Sequence, residues 1–555
     1  MSSTTMSSPF ALQLGTNYCP RDAEAAQIKA FLVEPCLRLK NLDGEIAVLR
    51  QTLDKLAEER DNLKAYVEAH KALISPIRRL PLDILGAIFT ACLPTHRNCV
   101  MSAQEAPVIL GWICSSWRSI SLSMPKLWSR LHIVEPTPSD LVPESSEDYS
   151  AKVAQRLEVA DAWLRRSGTC PLSISLESKL DNRAIGPAML MRLHASPPQS
   201  PFLNVLLPFA SRWQYMDLVL PLGLHEALSC LTEDDVPLLA RLRMFHRPEA
   251  MDIPYLTQLG ILHAPNLTSF CVVGGKTHSL HLPLRWSQLT DLSLEGTFNL
   301  GGAQTPGNIL IILSRCPQLR TFRVLVHDPS ESPLSHTIVE CPFLHTIDLG
   351  CFGNPLRTAG WLLSRLSLPD LRDFKFRGSQ LQQAEIASTE LLLSSLASSN
   401  RLGSIGLDSA VFSNSKAVLI HFLLGLPPTV QRLEMTETMH ASRRSIYLFD
   451  DGVMEVLNAS LGATTACPVL QELVINRCYT VSDTALLSFV RSRQPTLKRV
   501  RVAFDREMQI DILPALQPST QAGLDISLTY ITLPPPSFSP WEGLSDGPSP
   551  VRLLQ

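Results

Sequence analysis

A chain of 555 residues is too long for one compact core and implies several domains or an elongated repeat array. It is 45% hydrophobic but only 6% aromatic, a leucine-dominated balance, and its formal net charge is -3. Near-neutrality leaves no electrostatic footprint for nucleic acid or an anionic membrane, so neither is expected as a partner.

The opening residues Met1–Thr5 carry neither a basic segment nor an apolar one of the secretory kind. No apolar run reaches transmembrane length; Val205, Leu206 and Leu207 are cut short by Pro208. Thirteen cysteines without a secretory segment indicate a reduced intracellular protein, cytoplasmic and/or nuclear, with thiols acting as small hydrophobes. No Cys-x-x-Cys pair occurs, and Cys467 and Cys478 are too far apart for a zinc knuckle, so no metal and no cofactor are expected.

Residues 1–21 are rich in Ser and Thr and read as disordered. Residues 22–75 read as a coiled-coil helix. Past Pro35 a 3.5-residue period places Leu42, Leu49, Leu56 and Leu63 at one seam position and Ile46, Leu53, Val67 and Ile74 at the other. Arg60 and His70 interrupt the seam, while Glu45 precedes Arg50 and Glu59 precedes Lys64 in the flanks. Three readings fit: self-association as a homodimer, a spacer helix that projects the rest of the chain, or a single amphipathic helix packing on its own chain.

Residues 76–133 change character. Ser75-Pro76 stops the long helix. Leu80-Pro81-Leu82-Asp83-Ile84-Leu85 then opens a short one, in which Ile84, Leu85, Ile88 and Phe89 share an apolar face. A polar loop over 94–107 leads to a second helix with Ile109, Trp112, Ile113, Trp117 and Ile120 on one stripe, and Pro125, Leu127 and Trp128 close the unit. These pieces resemble the F-box, and most nearly the expanded F-box families of mushroom-forming fungi (basidiomycetes). The resemblance rests on Leu80-Pro81-x-Asp83-Ile84-Leu85-x-x-Ile88-Phe89, then Ile113-Cys114-x-x-Trp117-Arg118-x-Ile120, then Pro125-x-Leu127-Trp128. It implies that Leu80, Pro81, Ile84, Leu85 and Ile88 face a Skp-type adaptor, which is held in turn by a cullin scaffold. Phe89, Ile113, Trp117 and Trp128 would form the module's core. An ordinary small helical subdomain with a tryptophan core is the other reading. The loop over 94–107 is longer than in the shortest F-boxes.

Residues 134–170 read as a linker and helix, and 171–510 as a solenoid. A phrase of proline, one residue, an aliphatic, two residues, an apolar, one residue, an apolar recurs ten times, from Pro237-x-Leu239-x-x-Leu242-x-Met244 to Pro495-x-Leu497-x-x-Val500-x-Val502. Two copies lack the proline. Successive copies lie 28, 22, 30, 25, 27, 31, 28, 40 and 27 residues apart, mostly within the range of leucine-rich repeats. Trp213-x-x-Met216-x-Leu218 and Leu172–Leu176 are weaker candidates ahead of them. Each phrase predicts a short strand with its apolar residues inward; Ile309–Leu313 and Leu391–Leu396 predict covering helices. The fold class is therefore an α/β leucine-rich-repeat solenoid, preceded by an all-α F-box-like module and an N-terminal coiled-coil helix. Residues 511–555 read as a cap remnant and flexible tail, with Trp541 docking back.

The residue between the last two apolar positions should point outward on the concave face. Arg243, Arg323, Lys375 and Arg501 fall there, with Arg377 and Arg499 beside them, making these six the candidate target-binding cations. Acidic Asp348, Asp373, Glu434 and Glu472 are interleaved, so a phosphate-reading patch and a merely solvated face both fit. No Gly-x-Ser-x-Gly, phosphate-cradling glycine loop or His-Glu-x-x-His occurs, and the 14 histidines are scattered, so no catalytic residue is expected. The resemblance to the F-box, joined to the repeats, implies a substrate-recognition subunit of a cullin-type ubiquitin ligase that binds an unknown protein target. The alternative is a scaffold that uses coiled coil and repeats without any ligase.

Overall fold

A computed structural model describes residues 8–136, 146–178, 200–220, 224–246, 254–274, 279–295, 303–327, 338–380, 385–412, 415–437, 447–459 and 466–530. The chain divides into two compact units, Met1–Ala87 and Ile88–Gln555.

The first unit is dominated by one helix, α1, Asp22–Leu73. Its N-terminus is set by Glu24, whose carboxylate accepts from the Arg21 amide at 3.0 Å and from the Tyr18 hydroxyl at 2.8 Å. Pro35 lies inside the helix rather than ahead of it, without ending it. All eight expected seam residues are exposed, between 40% and 69%. A turn at Pro76–Arg79 follows, and then α2, Leu82–Ala91, which runs across the boundary between the units.

The second unit is built on a 14-stranded, wholly parallel sheet in strict sequence order. Its strands are β1 (Arg130–Val134), β2 (Leu172–Glu177), β3 (Trp213–Leu220), β4 (Arg241–His246), β5 (Ser269–Val273), β6 (Asp291–Glu295) and β7 (Thr321–His327). They continue as β8 (Thr346–Gly353), β9 (Asp373–Gln380), β10 (Ser404–Asp408), β11 (Arg432–Thr436), β12 (Glu472–Cys478), β13 (Arg499–Phe504) and β14 (Asp525–Thr529). Residues 339–340 and 366–367 form a separate two-stranded pair. Each of the ten sequence phrases is one strand, β4 to β13. Their middle apolar residues stand in register: Leu242, Phe270, Leu292, Phe322 and Ile347 run into Phe374, Ile405, Leu433, Leu473 and Val500. All ten are buried. A parallel strand cannot turn back on itself, so each returns through a covering segment, and only stacking buries the inward side chains.

The covering segments change along the array. Behind β4 to β6 they are short 3-10 turns, such as Pro254–Gln258 and Gly260–His263. Beyond β6 most described covering segments are α-helices, including the two that the sequence predicts: Pro306–Arg315, capped by the Thr305 hydroxyl, and Ala387–Ala397. Cys316, Cys341 and Cys467, one before the proline of three phrases, are buried, and burial pushes their thiols up to about 12, 11 and 12. This fits a packing role.

The sheet is longer than the span 171–510 at both ends. β1 begins inside the segment read as the docking module, and the helix at Ser146–Arg166, within the segment read as a linker and helix, buries Ala160, Trp163 and Leu164. At the far end Leu513–Gln521 and β14 add a helix and a strand paired to β13. Trp541 and the rest of 531–555 lie outside the described residues.

Candidate functional site

Two surfaces bear on function. The first is the helical module. Phe89 is fully buried with its ring 4.7 Å from that of Trp117, and Trp128 is buried edge-on against Trp163, also at 4.7 Å. The Trp128 indole donates to the Ser121 carbonyl at 2.8 Å, so the closing turn is tied to the preceding helix. Phe89, Trp117 and Trp128 thus pack within the helical segment.

Ile113 does not. The second helix is broken into Leu110–Ile113 and Ser115–Ser123 by an extended Cys114, whose sulfur accepts from the Trp117 amide. The break destroys the single stripe and leaves Trp112 73% and Ile113 56% exposed. The set expected to face an adaptor also divides. Pro81 and Ile84 are exposed, Leu80 and Ile88 are half-buried, and Leu85 is only 6% exposed, turned inward like Phe89 four residues later. Leu82, which the sequence reading passed over, is the most exposed apolar side chain of α2 at 68%.

The second surface is the concave face of the sheet. The outward column stands in register: Arg243, Cys271, Ser293, Arg323 and Asp348 lead into Lys375, Gly406, Glu434, Val474 and Arg501. The structure extends it forward to Asp217, Ser175 and His132. Most of its cations are held by acids of neighbouring strands. Arg377 meets Asp348 at 2.7 Å and Glu295 at 3.1 Å; Arg323 lies 3.4 Å from the same aspartate. Arg499 bridges Asp525 at 2.9 Å and Glu472 at 3.7 Å. Lys375 reaches across Gly406 to Glu434 at 3.0 Å; a Cβ at Gly406 would come within 3.1 Å of the lysine stem. Arg243 pairs with Asp217 at 3.1 Å. Of the six expected target-binding cations only Arg501 has no ion pair among the described residues. The rear of the concave face is therefore a self-neutralised rail rather than a basic patch.

The front is different. There the loop after α2 folds over the sheet and encloses a cleft of about 1070 Å³ with β1 to β4. The loop is stitched down: the His132 amide donates to the Cys99 carbonyl at 2.7 Å, Asn98 joins Ser173 and Ser175, and Arg97 forms a nearly buried pair with Glu105. Arg130 donates to the carbonyls of Pro94 and Arg97, which anchor it without cancelling its charge. Arg241 lies over the Tyr215 ring at 5.3 Å and has no ion pair among the described residues. His132, at the base, is 4% exposed with Nδ1 2.8 Å from the Ser175 hydroxyl; burial pushes its pKa down to about 4, which keeps it neutral. Sequence reasoning missed this cleft because the loop carries no periodic signal and β1 lacks the proline phrase.

Among the described residues no cluster of three or more His, Cys, Asp or Glu is placed to hold a metal ion, and no helix is long and apolar enough to cross a membrane. No family model and no curated protein matches the chain. Among solved structures the chain is similar to the leucine-rich repeat-containing protein LegL7 from Legionella pneumophila, with a TM-score of 0.29 and 15% identity over 55% of this chain and 88% of that one.

Proposed function

We propose that this chain is a non-catalytic substrate receptor of a cullin-type ubiquitin ligase. The F-box-like module takes a Skp-type adaptor, and the front cleft of the solenoid takes a segment of the target protein. The observation that carries the reading is continuity: the module's closing turn, Pro125–Trp128, passes into the first strand of the sheet after a single residue. A target held in the cleft is thereby fixed relative to that turn, which is what delivery of ubiquitin from a separate enzyme requires. The Arg130 and Arg241 charges favour a target segment bearing carboxylates or phosphates.

The test is co-purification of the full chain with a Skp-type adaptor, beside a Leu82→Asp, Ile84→Asp variant. Leu85 is left alone because an aspartate at that buried position would unfold the module. Wild type should retain the adaptor, and the variant should lose it with an unchanged circular dichroism spectrum. Failure of wild type under conditions where a control F-box binds overturns the ligase reading and leaves the scaffold.

A further inference from the structure

The long helix α1 offers an inference independent of the ligase reading. Its seam is fixed by alternating four- and three-residue steps: Leu42 to Ile46 is four, Ile46 to Leu49 three. One core position therefore holds Leu39, Ile46, Leu53, Arg60, Val67 and Ile74. The other holds Leu42, Leu49, Leu56, Leu63 and His70. All of the apolar members are exposed on the described helix.

The charges that flank this seam say what covers it. When two copies lie parallel and in register, a residue just before the first core position faces the residue five further along the other copy. That sets Arg38 against Asp43, Glu45 against Arg50 and Glu59 against Lys64; the remaining facing pairs, Thr52 with Ala57 and Tyr66 with Lys71, contain no like charges. None of the six charged residues is engaged in an ion pair among the described residues. An antiparallel alignment that sets Ile46 opposite Leu63 keeps one attraction, Asp43 with Lys64, and faces Glu45 with Tyr66, Thr52 with Glu59 and Arg50 with Ala57. Arg60 adds register. In the parallel pair it meets its own counterpart, a like charge that Glu59 of the opposite copy offsets; a slip by one heptad sets it against Leu53 or Val67 and takes that glutamate away.

We infer that the exposed seam of α1 is occupied by the same seam of a second copy, parallel and in register, so that the protein is a dimer whose two chains leave the coiled coil at the same end.

Light scattering on the full chain at micromolar concentration tests the association. The expected mass is twice the 61.4 kDa of one chain, falling to one chain in a Leu49→Asp, Leu56→Asp variant. Charge exchange tests the direction. A Glu45→Lys, Glu59→Lys variant and an Arg50→Glu, Lys64→Glu variant should each be monomeric alone. Mixed under two different affinity tags, they should be recovered together at the dimer mass. A monomeric wild type overturns the inference. Persistent homodimers of either exchange variant, or failure of the mixture to pair, overturn the parallel register.

Discussion

The front and rear of the solenoid use the same strand phrase and reach opposite chemistry on the concave face. In the rear, from β6 to β14, cations and acids of successive strands fall within reach and neutralise one another: Arg377 with Asp348, Lys375 with Glu434, Arg499 with Asp525. At the front the column holds the neutral His132, Ser175 and one Arg243–Asp217 pair, and a stitched loop turns an open face into a cleft. Inward residues make the solenoid; outward residues and what folds over them decide whether it can take a ligand.

The largest expected effect is at the rear cap. The Asp483 carboxylate, fully buried, accepts from Arg506 at 2.7 Å and from the amides of Gln509 and Ile510, both at 2.9 Å. Burial pushes its pKa up, but these bonds outweigh it and hold it below the usual range, so its stabilisation is present at neutral pH and fades as pH falls through the lowered value. Asp483→Ala leaves Arg506 unpaired and should destabilise the rear by about 3–5 kcal/mol. Urea unfolding measures the loss, and hydrogen exchange should find β1 and β2 unchanged, because repeats couple mainly to their neighbours.

The next effect belongs to the front. With the His132 pKa lowered to about 4 by burial, the unfolded chain binds more protons than the folded one between about pH 6.5 and 4. Stability should fall over that window by about 3 kcal/mol as pH drops. His132→Gln should abolish that part of the pH dependence in melting curves recorded from pH 7 to 4.

Two smaller predictions separate the halves. Arg377→Ala strips the nearly buried Asp348 of its shortest ion pair and should lower stability by about 1 kcal/mol, read by chemical denaturation, with no loss of target binding. Arg241→Ala removes only a cation from over Tyr215. Its effect on stability should be about 0.5 kcal/mol or less, while target binding at the cleft weakens. Reversal of these two outcomes would move the ligand to the rear rail.

Much of this was legible in the sequence, and the reasons for the misses are physical. The strand phrase recurs because every repeat must bury the same inward positions, so counting residues placed ten of the fourteen strands and the outward column from Arg243 to Arg501 in correct register. Counting could not say that Arg377 reaches both Asp348 and Glu295, since a long side chain on a curved sheet crosses strands that the phrase treats as separate. Leu85 sits on the same apolar face as Ile84 by periodicity, yet on so short a helix Leu85 is buried while the residue before it stays exposed. Ile113 left the core because Cys114 is extended, and no glycine or proline announces that break. The buried Arg493, which donates to the carbonyls of Leu457, Ala466 and the left-handed Cys467, gave no signal beyond an ordinary helix-terminal arginine.

The proposed function puts the target in the front cleft and the adaptor on the F-box-like module. The most direct measurement replaces Tyr215, or Lys375 for comparison, with a photo-crosslinking amino acid in cells whose proteasome is inhibited. The account predicts adducts at position 215 that carry ubiquitin, lose it when Leu82→Asp and Ile84→Asp are added, and are absent at 375. Adducts confined to 375, or adducts at 215 whose ubiquitin is unaffected by the module variant, would contradict it.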